Sequence, residues 1–277
     1  MINSKSYGLQ TETRQYLRRL YSYGRELNLS DVADIDNFIK GLKQLNLWQN
    51  SICFLMRSQH NIGTGNTILS LGGEQNVIGS LVNSPTWGSN GITFSGTNYI
   101  SALLRKTIQT SEVSMASVAF SDNPMPGFTT GSPYQLYIGG SSFATSGLEI
   151  GSSNTSGSTW RVGLRRTGAG LIQTNTPLLN YQSPRFQGAR FNTSLNLQHY
   201  LNGSTSTNTG VTNYGIFSFD RLLVCGRWSN TIECTLGTSG VGFVGTQSFV
   251  IVSLDYIDFN ILQQLIKKTI GKGLGLP

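Results

Sequence analysis

Charge is what this chain has least of. Of its 277 residues only 12% are Asp, Glu, Lys or Arg, about half the usual share. With 33 glycines and abundant Ser, Thr and Asn, that scarcity points to many turns and an uncharged polar surface, which suits exposed, protease-facing assemblies. Long hydrophobic runs are missing too. No stretch approaches the roughly 18 apolar residues of a membrane span, and Met1-Ile-Asn-Ser-Lys-Ser6 carries no apolar secretory segment. Cysteine is sparse: Cys53, Cys225 and Cys234 are odd in number and lack metal-like spacing. They read as buried free thiols, although Cys225 and Cys234 could face each other across a hairpin. Acids are absent between Glu149 and Asp220, a stretch that holds Arg161, Arg165, Arg166, Arg185 and Arg190. The net charge of +7 is otherwise spread along the chain. Those arginines would make a positive patch if they share a face; without a recognition-helix, RNP-like or zinc-finger pattern they read as solvated strand ends or contacts to an acidic neighbouring subunit, and nucleic acid is not the expected partner.

Three kinds of sequence follow one another. Residues 1–50 are rich in Leu, Arg, Lys and Asp at helical spacing. A first helix is predicted from about Thr11 to Tyr23, stopped by Gly24, and a second after Ser30, read as its N-cap. Val32, Ile35, Phe38, Ile39, Leu42 and Leu45 give the second helix an apolar face. That face must be buried, on the flank of the rest of the chain or on a partner, and Val32, Ile35, Phe38, Ile39 and Leu42 are the candidate partner-binding set. Residues 51–255 read as β throughout. Short apolar runs lie near Ile52 to Met56, Val113 to Phe120, Gln135 to Ile138, Trp160 to Leu164, Phe191 to Leu201, Arg221 to Gly226 and Phe249 to Leu254. Turn clusters separate them at sandwich-like intervals. The last run is wholly apolar and should be central. Gly151 to Ser158 and Ser204 to Gly210 read as exposed loops. Residues 256–277 form a helix from about Asp258 to Ile270, with a tail, packed back on the sandwich.

The stretch Leu81 to Ile100, LVNSPTWGSNGITFSGTNYI, predicts a hairpin in which Ser89-Asn90-Gly91 supplies the positive φ of a primed turn. It resembles the early hairpin of laminin-G/concanavalin A-like jelly-roll domains, particularly those of tailed-phage virion proteins. The helical lead ending in FIKGLK and, after three more residues, Leu47-Trp48 is similar to leads that precede such domains. Gln198-His-Tyr-Leu-Asn-Gly-Ser204 and Leu222-Leu-Val-Cys-Gly-Arg227 resemble later strands of the same fold. The resemblance implies a mainly β, antiparallel concanavalin A-like sandwich with an N-terminal helical segment and a C-terminal helix. It further implies a non-enzymatic virion structural protein, synthesised in a host cytoplasm. It would act in capsid decoration or cement, a head fibre or the tail, binding other virion proteins and forming a homo-oligomer. The alternative is a carbohydrate-binding adhesin that meets a host surface glycan.

Catalytic and metal sites are not read from these residues. The Glu-x-Asp-x-Glu triplet of concanavalin-like glycanases is absent; Glu74, Glu112, Asp122, Glu149, Asp220 and Glu233 stand isolated. His60 and His199 share no pattern with a nucleophile or ligand, and Gly63-Thr-Gly-Asn-Thr67 lacks the lysine of a phosphate loop. No cofactor is implied by the residues. Calcium enters only through the resemblance, and the loop acids Asp122, beside Asn123, and Asp220 are too few to name a site. For the glycan alternative, Trp160, Tyr181, Trp228 and Asn230 are the candidate residues, because aromatics stack on sugar faces and carboxamides bind hydroxyls.

Overall fold

A computed structural model describes residues 8–73, 76–120, 134–139, 146–152, 159–166, 169–177, 183–192, 196–209, 217–229, 232–234 and 243–277. Two helices lead, α1 (Thr11–Ser22) and α2 (Leu29–Gln44). Strands β1 (Ser51–Leu55), β2 (Thr67–Gly73), β3 (Ile78–Val82), β4 (Thr86–Gly88), β5 (Gly91–Ser95), β6 (Tyr99–Thr110) and β7 (Glu112–Phe120) follow. Next come β8 (Tyr134–Gly139), β9 (Ser146–Ser152), β10 (Thr159–Arg166), β11 (Ala169–Pro177), β12 (Arg185–Asn192), β13 (Asn196–Leu201) and β14 (Ser204–Asn208). The chain closes with β15 (Phe217–Val224), β16 (Arg227–Ser229), β17 (Ile232–Cys234), β18 (Val244–Ser253) and α3 (Phe259–Lys268).

All strand pairs are antiparallel. One sheet runs β14-β13-β12-β7-β18-β1, with β5 also on β18; the other runs β2-β3-β6-β15-β8-β9-β10-β11. They are continuous through β1–β2, at the pairs Ile52↔Gly73 and Phe54↔Ser70. This is an antiparallel sandwich that almost closes on itself, flanked by terminal helices.

The first sheet is buried on both faces, and period-2 alternation explains how. Ile52, Phe54, Met115, Val250 and Val252 point between the sheets. Their neighbours Cys53, Leu55, Ala116, Val118, Phe249 and Ile251 point at the helices. A strand covered on both faces shows no polar alternation, so the apolar run ending β18 is central, as expected. Cys53 and Cys225 are buried free thiols, and burial pushes both far above the ordinary thiol pKa. The β16–β17 register sets Cys234 opposite Arg227.

Of the two places expected to bury the apolar face of α2, the chain's own flank or a partner, it is the chain's own sheet that covers it. Ile35, Phe38, Ile39 and Leu42 are at most 1% exposed and share a core with Phe249 and Ile251; Val32 is half-buried. Phe38 and Phe249 meet edge-on, with centroids 5.6 Å apart.

Other local expectations change. The N-cap of α2 is Asn28, whose Oδ1 accepts from the Asp31 N–H at 2.8 Å. Ser30 lies within the first turn and donates to the same oxygen. Gly24, at φ +75°, follows α1 as expected; its N–H reaches Tyr21 O while Arg25 N–H reaches Leu20 O, a Schellman pattern. The Ser89-Asn90 loop is not primed, since neither residue has positive φ. Gly91 does, at φ +144°, and a Cβ there would also meet Gln247 O at 2.1 Å. The primed turn is Asn202-Gly203, at φ +44° and +96°, between paired Leu201 and Ser204. The apolar run near Phe191 to Leu201 belongs to two strands, β12 and β13, and Ser204 to Asn208, read as loop, is strand β14. Asp220 lies inside β15, not in a loop; Asp122 and Asn123 fall outside the described residues.

Candidate functional site

A groove of about 550 Å³ opens where α1 crosses the end of β2, within the range of small-ligand sites. Three pieces of chain build it. From α1 come Glu12, Gln15, Arg18 and Arg19; from the α2–β1 connection come Trp48 and Gln49; from beyond β2 comes Asn76.

The α1 wall is held from behind. Tyr16 is fully buried and its hydroxyl donates to His60 O at 2.8 Å. The Gln10 N–H and Thr13 hydroxyl both donate to Asp36 Oδ1 at 2.7 Å, and Lys40 lies 2.9 Å from the other Asp36 oxygen. Burial alone would raise the Asp36 pKa, but the bonds from Thr13, Lys40 and Gln10 outweigh it and the pKa falls below the carboxylate norm. Arg19 donates to Ser70 O on β2. Burial lowers the Arg19 pKa, opposed by Tyr16 and reinforced by the like charge of Arg105.

Two glycines allow the opposite wall. A Cβ on Gly72 (φ +138°) would lie 3.0 Å from the Trp48 ring, and one on Gly73 (φ +92°) would lie 2.1 Å from Ser51 O and 2.6 Å from Trp48 O. The β2 backbone therefore passes directly under Trp48, which is pinned with 8% of its surface showing. Gln15, Arg18, Gln49 and Asn76 are exposed. Glu12 bonds Lys43 at 2.9 Å and leaves Oε2 without a partner. Burial raises the Glu12 pKa, but the Lys43 bond and charge prevail and lower it. The groove thus offers guanidinium and carboxamide donors, a carboxylate acceptor and an aromatic edge around a wet concavity.

Of the residues proposed from sequence for glycan binding, the described ones lie elsewhere. Trp160 is fully buried in the sandwich core, stacked under the Arg185 guanidinium at 4.5 Å, so it cannot meet a sugar. Trp228 is on β16; Tyr181 and Asn230 fall outside the described residues. The arginines of the acid-free stretch whose side chains are described, Arg161, Arg185 and Arg190, do not form one patch. Arg161 is buried and pairs with fully buried Glu149 at 3.1 Å, Arg185 is buried against Trp160, and Arg190 lies over Tyr256 at 4.0 Å. Both histidines are buried and neutral: burial, with Arg57, takes His60 to about 3, and burial takes His199 to about 4. Asp31 lies 3.6 Å from His60, but burial and the like charge of Arg57 prevail. Among the described residues no group of three or more metal-ligating side chains converges, and no helix is long and apolar enough to cross a membrane.

The interior also carries an uncommon polar cluster. Gln135 Nε2 donates to Ser117 Oγ at 2.6 Å, and Gln247 Nε2 lies 3.7 Å from Cys225 Sγ. Gln187, paired in register with Ser117, is fully buried with neither amide atom partnered.

Sequence reading missed the groove because its residues come from three segments and none belongs to a motif. The signals present were the Arg18-Arg19 pair, lone Trp48 and the Gly72-Gly73 doublet.

No family model matches the chain, and no curated protein matches it. Similar solved structures share its fold. The ligand-binding domain of botulinum neurotoxin serotype D, in complex with N-acetylneuraminic acid, aligns at TM-score 0.55 and 9% identity, over 81% of this chain and 52% of that one. A structure of botulinum neurotoxin type C, whose cell entry depends on two ganglioside molecules, aligns at TM-score 0.51 and 10% identity, over 80% and 53%. Trypanosoma rangeli sialidase aligns at TM-score 0.55 and 13% identity, over 88% and 40%. The chain spans about half of each neurotoxin domain and less of the sialidase. At these identities the likeness is one of fold, a mainly antiparallel β-sandwich.

Proposed function

We propose that the chain is a glycan-binding module and that the groove between α1 and the end of β2 is its binding site. The observation that carries this reading is the groove's lining. Carboxamides Gln15, Gln49 and Asn76 donate and accept, as neighbouring sugar hydroxyls require, and Trp48 adds an apolar edge for ring carbons. A fold shared with domains of glycan-engaging proteins supports the reading without locating the site. A tailed-phage particle is the setting the sequence resemblance implies, and there the module would act as a receptor-binding or adhesion element. Docking through the apolar face of α2 forms no part of this proposal, because that face is spent on the chain's own core. Binding needs no covalent step.

The test is a glycan array followed by calorimetry on the full chain. Binding to a defined set of glycans is expected, weakened about tenfold by Gln49→Ala or Asn76→Ala, each removing side-chain hydrogen bonds of about 1.4 kcal/mol. Both residues are exposed, so circular dichroism should be unchanged. A folded protein that binds no glycan overturns the proposal, as does binding that neither substitution weakens.

A further inference from the structure

The charges around the groove say more about the ligand than its carboxamides do. We infer that the site selects sugars carrying an anionic substituent, a carboxylate or a sulfate, over their neutral counterparts; this rests on the glycan-binding reading and sharpens it.

Arg18 is exposed at the groove and has no ion-pair partner among the described residues. Arg19, beside it, is half-buried, anchored through one nitrogen to Ser70 O, and close enough to Arg105 for the two like charges to oppose each other. The one acid lining the groove among the described residues, Glu12, is already committed to Lys43 at 2.9 Å. Two guanidinium groups therefore face the cavity against a single carboxylate that a lysine neutralises. The sequence also places Glu74 next to Gly73, outside the described residues, so this balance is that of the described lining.

A ligand anion relieves this arrangement. Guanidinium is weakly hydrated and presents a planar fork of donors that matches a carboxylate or sulfate edge. Part of the desolvation of Arg19 has already occurred in the free protein, so binding an anion there adds Coulomb energy at reduced further desolvation. Neutral Gln49 and Asn76, on the other wall, are left for ring hydroxyls. The geometry thus divides the groove into a cationic side on α1 and a carboxamide side opposite.

The experiment compares sialyllactose with lactose, and a sulfated oligosaccharide with its desulfated form, by calorimetry on the full chain at low and high salt. The anionic member of at least one pair should bind about tenfold more tightly, the effect of one charge-assisted hydrogen bond, and the advantage should shrink with salt. Arg18→Gln should collapse the ratio toward one, with Arg18→Lys intermediate. Arg14→Gln, on α1 but outside the groove, should leave the ratio alone. Preference for the carboxylate pair only, or the sulfate pair only, supports the inference and identifies the anion. Equal affinity within both pairs overturns it while glycan binding stands. Binding to none of the four by a folded protein that does bind neutral glycans on the array overturns the inference, and a folded protein that binds no glycan at all removes the glycan reading itself.

Discussion

At the scale of single residues, what matters is which polar groups the core has accepted and on what terms. A buried amide without partners costs about 1–3 kcal/mol, and removing both polar atoms recovers part of it. Gln187→Met, similar in length and apolar, should therefore raise the urea midpoint at unchanged m-value, with a gain of about 1 kcal/mol. A loss would mean that the amide is engaged in the folded protein. The buried histidines make the opposite contribution as pH changes. The folded protein holds His60 down to about 3 and His199 down to about 4, against 6.5 for the free side chain. Below about pH 6.5 the unfolded chain binds a proton on each and the folded one does not. Their stabilisation is thus complete above that pH and is lost on acidification, by up to about 1.4 kcal/mol per pH unit for each imidazole. The lowered carboxyls of Glu12 and Asp36 act in the same direction at lower pH, and Asp31, raised by burial, acts against them. Urea unfolding between about pH 7 and about pH 5 should show the midpoint falling steadily.

At the scale of elements, α3 illustrates how a helix is seated by one missing side chain. Asp258 caps it, accepting from the Asn260 and Ile261 N–H groups, and Phe259 packs against Phe186 and Tyr200 with centroids at 6.3 and 5.5 Å. The ring fits because a Cβ on Gly188 would lie 2.6 Å from it. Gly188→Val should lift Phe259 and cost about 1–3 kcal/mol, read as a lower thermal midpoint with earlier proteolysis near α3. Helices like this were legible in the sequence, since caps and apolar stripes are local signals. The central strand β18 was legible for the same reason. What escaped reading was set by distant contacts. β14 is polar because it lies at a sheet edge, so Ser204 to Asn208 resembled a loop. The glycine of the Ser89-Asn90-Gly91 stretch answers to Gln247, over 150 residues away, not to its own turn. Trp160 resembled a binding aromatic because sequence does not tell the two faces of β10 apart.

At the scale of the whole molecule, helices and sandwich are layers of one structure. The outer face of the first sheet carries Cys53, Leu55, Val118, Phe249 and Ile251, and α1 and α2 cover it with Leu20, Ile35, Phe38, Ile39 and Leu42. Deleting residues 1–50 should expose this apolar face and give an aggregating product, seen by light scattering, while the full chain remains discrete. A truncated chain that stays a folded monomer would refute this. The candidate site belongs to the same scale: its walls come from a helix, a connection and a strand end, and only the packed layers bring them together. That is why no window of sequence showed it.

The near-closure of the sandwich has its own consequence. Along one side the two sheets share a backbone ladder, through β1 and β2. Along the other, β11 and β14 meet through side chains, with Thr174 Oγ1 donating to Ser206 Oγ at 3.0 Å and Asn208 Nδ2 to Gln173 O at 2.9 Å; no ladder joins them among the described strands. The molecule is bound like a book, with a spine and a fore-edge. Hydrogen exchange on the full chain should therefore reach the fore-edge strands β11 and β14 first and the spine at β1 and β18 last.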